Sequence, residues 1–352
     1  IWIGAPLLVA NILLSRSGSV FREDRYLIFM APFVLWAIAR GVVVLGERWR
    51  AVGWAVGLVV TLMIAASLPR LWTPDAYREN WRAAADYIVD YQHAGADLPA
   101  AIVTHVDYTR RPLQWYLEKD ERAESDLPVF HPFGSPIAPG DADAVVGPPI
   151  QGIMDNGAAT LWLTQSHLEG VDDERVVQNW LSRQYPLVTE QFPTGINLTG
   201  YALQSRFDEL PELSSDAHFT DAEIVPGLML VACELITPMT SARDQAMHPP
   251  SGWVHVRLWW RADAPLDDDY IATAQMVGEE GVWGDRLYRG NEVLRRWPTS
   301  TWQPGEIVRD EVDINLNPVT PNGEYPVLIG VMDGAGEPVG ARVECGRVTV
   351  EK

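Results

Sequence analysis

A charged cluster at residues 22–26 has the side chains that could hold a phosphate group. It reads Arg22-Glu23-Asp24-Arg25-Tyr26 and comes directly before an apolar segment. Guanidinium groups make bidentate, charge-assisted hydrogen bonds to phosphate oxygens, and neighbouring carboxylates can orient them. We therefore expect Arg22 and Arg25 to bind the phosphate of a lipid-linked donor, with Tyr26 at the mouth of the pocket. The alternative is an ordinary polar loop beside a membrane interface.

Two pairs of residues carry side chains used in metal binding or nucleophilic catalysis. His105 and Asp107 flank Val106 at the end of a predicted strand, and Ser166 precedes His167. A zinc site needs three or four protein ligands, and no third ligand is marked beside either pair. The sequence also lacks a G-x-S-x-G elbow and glycine-rich phosphate loops. It therefore predicts no metal and no cofactor, and it leaves the catalytic residue unknown.

Six of the fifteen tryptophans lie after residue 217, in the C-terminal region. Aromatic rings on a surface can stack against sugars, whereas most tryptophans pack in cores. We single out Trp283, Trp297 and Trp302 as candidates for sugar stacking. Packing in the core or at its rim is the alternative.

Two apolar segments predict membrane-spanning helices at 26–45 and 51–68, joined by a charged turn at 46–50. A third apolar segment, 1–14, is too short to cross a bilayer, and we interpret it as a helix truncated at the start of the chain. The alternative for the two longer segments is a pair of buried helices in a globular protein.

Charge separates the two ends of the chain. Residues 1–70 hold seven basic and three acidic residues, whereas residues 71–352 hold 20 basic and 44 acidic ones. Such an acidic surface repels nucleic acid, so we expect no nucleic-acid partner. We expect the acidic part to be exported, which predicts an integral protein of a prokaryotic cell membrane with extracytoplasmic C-terminal domains and membrane lipid as a partner.

The acidic part divides by its periodicity. A helix is predicted at 77–91, strands at 100–105 and 159–164, a helix at 172–184, and a loop over the Gly- and Pro-rich residues 134–157. Strands alternating with helices indicate an α/β domain over 71–205. Residues 206–216 are interpreted as a linker. Alternating segments over 217–352 predict an antiparallel β-sandwich, of jelly-roll or immunoglobulin-like type. The fold class is therefore multi-domain, with transmembrane helices first.

Only two cysteines occur, Cys233 and Cys345. They fall in the first and last predicted strands of the sandwich, and an exported domain permits oxidation. They could form a disulfide, or remain two buried thiols.

Several short motifs resemble the C-terminal part of GT-C membrane glycosyltransferases of the family 39, or protein mannosyltransferase-like, type. The membrane part contributes Arg25-Tyr26-Leu27 and Ala31-Pro32-Phe33. The α/β region contributes the segments 81–88 and 197–201. The last region is similar to an appended β-domain in Leu258-Trp259-Trp260-Arg261-Ala262, Asp268-Asp269-Tyr270, 298–306 and Gly323-Glu324-Tyr325.

The resemblance implies transfer of a sugar from a polyprenyl-phosphate donor to an extracytoplasmic glycan or protein acceptor. It also implies an aspartate base in a loop upstream of this chain, so we expect this fragment alone to be inactive. A second hypothesis is a membrane-anchored, non-catalytic protein that binds glycan or cell wall. A third gives the sandwich a purely structural role, as a spacer or docking surface.

Overall fold

The computed structural model describes residues 31–67, 79–123, 127–134, 136–242 and 252–351. The chain forms two compact units, Ile1–Ala76 and Tyr77–Lys352. The predicted donor-binding residues Arg22, Arg25 and Tyr26 lie outside the described residues, as does the apolar segment 1–14.

The first unit contains two helices, α1 (Ala31–Arg48) and α2 (Arg50–Ser67). They meet at two glycines: a Cβ added to Gly53 would come within 2.4 Å of the Cα of Gly46. A side chain at Gly53 would therefore push the helices apart.

The two predicted membrane spans are wrong. Within the described residues, each helix has 18 residues. α1 also carries Arg40, Glu47 and Arg48 within that length. In the part of the chain that the structure describes, no helix has the length and apolar character needed to cross a membrane. The predicted location in a cell membrane is therefore corrected as well.

The α/β layer of the second unit is a five-stranded sheet in the order β2-β1-β3-β5-β4. β1 pairs in parallel with β2 and β3, whereas β5 pairs antiparallel with β3 and β4. The strands are β1 (Ala100–Thr104), β2 (Val129–Phe130), β3 (Thr160–Gln165), β4 (Leu187–Gln191) and β5 (Asn197–Ala202). The helices are α3 (Trp81–Ala94), α4 (Asp107–Leu117), α5 (Ala142–Asp155) and α6 (Val176–Gln184).

The predicted loop over 134–157 is wrong, because most of it forms α5 despite Pro148 and Pro149. Proline inside a helix removes a backbone hydrogen bond. Burial of Val146, Ile150 and Ile153 on one face, at 5% exposure or less, offsets that loss.

The remaining strands form one ten-stranded sheet that curls into a half-barrel. Its order is β7-β8-β10-β13-β12-β11-β14-β15-β9, with β6 paired to β13. The strands are β6 (Arg206–Phe207), β7 (His218–Val225), β8 (Leu228–Leu235), β9 (Met239–Ser241), β10 (Trp253–Ala262), β11 (Ile271–Gly278), β12 (Gly281–Arg286), β13 (Ile307–Leu316), β14 (Gly323–Met332) and β15 (Pro338–Glu351). A short helix, α7 (Val293–Arg296), lies between β12 and β13.

The curl brings the first and last parts of the sheet together. β15 contacts β7, and a disulfide joins Cys233 on β8 to Cys345 on β15. The described residues are thus mostly β, with fifteen strands and seven short α-helices. This corrects the predicted fold class, because the described part of the chain is mostly β and contains no helix that could span a membrane. The stretch predicted as a linker begins with β6 inside the sheet.

β10 and β13 lie at the centre and are covered on both faces. Even-numbered residues of β10, such as Val256 and Trp260, face the half-barrel core. Trp259 packs instead with Ala96 and Ala159 of the α/β layer. Because side chains alternate along a strand, the odd-numbered residues of both strands face the α/β layer.

Candidate functional site

A buried charge network lies between the α/β layer and the half-barrel. Its members come from α3, β8 and the odd-numbered positions of β10 and β13. They are Tyr91, Glu234, His255, Arg257, Arg309, Glu311 and Asp313, each at most 4% exposed. Buried charges are costly unless they are paired and hydrogen-bonded, so the geometry of this network decides whether the layers hold together.

Glu311 is the centre of the network. It receives hydrogen bonds from His255 Nε2 at 2.5 Å, Arg309 Nε at 2.5 Å, Arg257 Nε at 3.2 Å and the Tyr91 hydroxyl at 2.7 Å. Burial alone would raise the pKa of Glu311, but the three cations outweigh it and hold that pKa far below its usual range. The carboxylate is therefore ionised and fully engaged.

His255 bridges two carboxylates. Its Nδ1 lies 2.7 Å from Asp313 Oδ1, and its Nε2 lies 2.5 Å from Glu311 Oε2. Burial alone would lower the pKa of His255, but the two carboxylates outweigh it and raise that pKa. Both ring nitrogens then donate, which is the imidazolium form.

Several of these bonds cross between the layers. Arg309 Nη2 donates to Thr160 Oγ1 of β3 at 2.9 Å, and Thr189 of β4 donates to Asp313 at 2.8 Å. Arg257 Nη1 donates to the carbonyl of Ala96 at 3.3 Å. The network therefore fastens the half-barrel to the α/β layer, and we assign it a structural role.

A cavity of about 400 Å³ opens beside this network, between α3 and the connection from β8 to β9. We call it the interlayer cavity. Two aromatic rings, several polar groups and a set of apolar side chains line it: Tyr87, Asp90, Tyr91, His93, Ala94, Ile236, Thr237, Pro238 and Met239. Its size lies in the usual range of small-molecule sites, about 300–1,000 Å³.

The polar groups of the cavity differ in how they are held. Asp90 is paired with Arg122 at 2.6 Å. The Thr237 hydroxyl accepts the backbone N–H of His255 at 3.3 Å, so it is fixed directly above the charge network. His93 contacts the carbonyl of Arg122. The cavity thus presents a carboxylate, a hydroxyl and an imidazole next to tyrosine rings.

Two other cavities have less chemistry. One of about 840 Å³ lies along the α1–α2 hairpin, whose apolar side chains are largely exposed. Another of about 240 Å³ lies near the N-terminal end of β1, with Asp97 and Asn156 as its polar side chains. Within the described residues, no three His, Cys, Asp or Glu side chains come together as a metal site would require.

The predicted sugar-stacking tryptophans do not come together at the interlayer cavity. Trp302 is 3% exposed and donates its Nε1–H to the carbonyl of Trp297 at 2.9 Å, so its ring has no free face. Trp297 is half-buried beneath the guanidinium of Arg206, at 5.4 Å. Trp283 is half-buried against the half-barrel core.

Sequence reasoning missed the cavity and the charge network. Charged residues at alternate positions of β10 and β13 are the usual pattern of a strand with one face in water. One signal could have corrected that interpretation. Trp259 shares a face with His255 and Arg257, and a large apolar ring among them indicates a covered face.

Comparisons with known proteins add no relative. Neither a protein-family model nor a curated protein gives a significant match to the chain. Among solved structures, the chain is similar to a Niemann-Pick type C2 protein from Japanese carpenter ant, with 9% identity and a TM-score of 0.22. That match covers 33% of this chain and 80% of the other. At this TM-score the likeness carries no argument about fold or function.

Proposed function

We propose that this chain binds a short, neutral glycan in the interlayer cavity and acts as the sugar-recognition part of a glycosyl-transferring protein. The observation that carries the proposal is the lining of the cavity, which sets the half-buried ring of Tyr87 beside a carboxylate, a hydroxyl and an imidazole. A sugar ring needs this combination, because its C–H faces pack on aromatic rings while its hydroxyls donate and accept hydrogen bonds.

The charge of the surroundings supports a neutral ligand. Asp90 lies in the lining, and residues 71–352 hold 44 acidic and 20 basic residues. This field disfavours a phosphate group at the cavity. The polyprenyl-phosphate donor remains a prediction that rests on Arg22, Arg25 and Tyr26.

Binding is favoured over catalysis at this site. A general base works best with a pKa near the working pH, whereas the pKa values of Glu311 and Asp313 are held below their usual range by neighbouring cations. Asp90 is engaged in an ion pair with Arg122. The groups near the cavity are thus arranged to hold a ligand.

The test is a glycan array followed by calorimetric titration of the best ligand with the purified chain. Asp90→Asn replaces a carboxylate oxygen, which accepts hydrogen bonds, with an amide group that donates them, and Thr237→Val removes a hydroxyl from the cavity. We expect each to weaken binding by about two- to tenfold, the range of a single hydrogen bond. Asp216→Asn, at an exposed position outside the cavity, is the matched control and should leave affinity unchanged. An array without a bound glycan, or an affinity that neither cavity variant changes, would refute the proposal.

A further inference from the structure

The connections between strands change direction across the α/β sheet at one point. From β1 the chain passes through α4 to β2 on one side, then through α5 back across β1 to β3 on the other. The carboxyl ends of β1 and β3 therefore border a topological switch point, where open α/β sheets bind their ligands. His105 follows β1 directly, and Gln165 ends β3.

Three buried side chains meet at this switch point. His105 Nδ1 lies 3.3 Å from Gln165 Nε2 and 3.6 Å from Asp172 Oδ2. All three residues are at most 2% exposed. Asp172 is held by the start of α6, because its two oxygens accept the backbone N–H groups of Val176 at 2.6 Å and Val177 at 3.2 Å.

Two polar atoms of this group lack hydrogen-bond partners among the described residues. They are His105 Nε2 and Gln165 Oε1. A buried polar atom without a partner costs about 1–3 kcal/mol. The Gln165 amide donates to His105 Nδ1, so the neutral ring carries its hydrogen on Nε2, which donates, whereas Gln165 Oε1 accepts. A group that both accepts and donates a hydrogen bond would therefore satisfy the two atoms together.

The charge at the switch point argues against an anionic ligand. Burial lowers the pKa of His105, which favours the neutral ring. The carboxylate of Asp172 lies beside it. Phe133 adds an apolar wall, with its ring centred 5.7 Å from the His105 ring.

We propose that this switch point is a second binding site, separate from the interlayer cavity, for a neutral group that donates and accepts one hydrogen bond each. His105 and Gln165 recognise the group. Asp172 is a positioning residue that holds the imidazole against the start of α6. Sugar hydroxyls and carboxamides share this chemistry.

The test uses two-bond ¹H–¹⁵N spectra of the full chain labelled with ¹⁵N-histidine, with the His105 signals assigned through His105→Gln. The probes are glucose for the hydroxyl, N-methylacetamide for the amide and acetate for a charged group. We expect at least one neutral probe to shift His105 Nε2 saturably, and acetate to leave it unchanged. The probe that shifts it identifies the source of the group.

Gln165→Met removes one half of the recognition pair and should weaken binding of the active probe about tenfold. Unchanged signals of the other histidines would show that the variant is folded. His218→Gln, at an exposed position on β7, is the matched control and should bind like the wild type. Asp90→Asn should also leave this binding unchanged, which separates it from the interlayer cavity.

Three results of these titrations would overturn the proposal. The first is a His105 signal that neither neutral probe shifts. The second is tighter binding of acetate than of the neutral probes. The third is a Gln165→Met variant that binds the active probe as tightly as the wild type does. A crystal soaked with the active probe would also refute the proposal if its structure showed only an ordered water between His105 and Gln165.

Discussion

Replacing Glu311 by glutamine tests whether the buried charge network holds the two layers together. Glutamine keeps the size and shape of glutamate but removes its charge. It also places an N–H₂ group against side chains that are themselves donors, those of His255, Arg257 and Arg309. The variant thus leaves buried cations without their central partner.

The expected loss is large. Removing one partner of a buried ion pair costs about 3–5 kcal/mol, because an uncompensated charge stays behind. Domains are stable by only about 5–15 kcal/mol in total. For a unit of this size, that loss corresponds to a fall in melting temperature of roughly 10 °C.

Urea unfolding of the full chain at 25 °C, followed by tryptophan fluorescence and circular dichroism, measures the change. Glu344→Gln is the matched control, because Glu344 is paired with Arg347 on an exposed part of β15. Exposed ion pairs contribute about 0–1 kcal/mol. A loss for Glu311→Gln below about 1 kcal/mol, or one equal to that of the control, would refute a structural role for the network.

The same network predicts how stability depends on pH. Because the pKa of His255 is raised in the folded state above 6.5, its contribution is complete below that pH and is lost as pH rises through the raised value. In Glu311→Gln the imidazolium has one carboxylate fewer, so its folded-state pKa is raised less, and the loss should be smaller and complete at a lower pH. Identical stability–pH profiles for the two proteins above pH 6 would contradict the assignment of His255 as a buried imidazolium.

Three further predictions concern the same unit. Burial raises the pKa of Asp310 from 3.8 to about 6. The native state therefore binds the proton more tightly than the unfolded state, and stability should fall by about 3 kcal/mol between pH 4 and pH 7. This pH-dependent loss should vanish in Asp310→Asn, and its persistence would exclude the Asp310 carboxyl as its source. The Cys233–Cys345 disulfide spans 112 residues, so replacing both cysteines with alanine should lower the free energy of unfolding by about 2–4 kcal/mol. Adding a reductant should not lower the stability of this variant further. A further loss of stability on reduction of the variant would contradict the prediction. A Cβ at Gly95 would come within 2.3 Å of the Arg257 guanidinium, so Gly95→Ala should lower the free energy of unfolding by about 1–3 kcal/mol. Gly152→Ala is the control: it lies in open space on α5 and should stabilise slightly. Equal effects of the two substitutions would argue against the close approach of Gly95 to Arg257.

Local periodicity predicted the elements of the α/β layer well. The helix expected at 77–91 is α3 at 81–94, and the strands expected at 100–105 and 159–164 are β1 and β3. The apolar residues of α3, Trp81, Ala84, Ala85 and Ile88, recur at helical spacing and are all buried. Such patterns are enough to predict a helix or strand, because burial of its apolar face stabilises the element whichever part of the chain covers that face.

Hydrophobicity alone misled the interpretation of residues 26–68. The sequence could not show that α1 ends at Arg48, because a window of apolar residues does not mark where backbone hydrogen bonding stops. The proline-rich α5 shows the converse. Its local signal favoured a loop, and packing of its apolar face against the sheet decided otherwise.

By itself, the sequence determined the acidic charge of the C-terminal four fifths, the residue types available for chemistry and most of the local elements. Only the tertiary structure decided which of those residues meet. Glu311 and Tyr91 are 220 positions apart, and His105 lies 60 positions from Gln165. The alternation of side chains along a strand indicates which residues lie on the same face. It does not indicate whether that face contacts water or another layer of the protein. The charge network, the interlayer cavity and the switch-point site all depend on that choice, because each is made where two separately predicted elements cover one another.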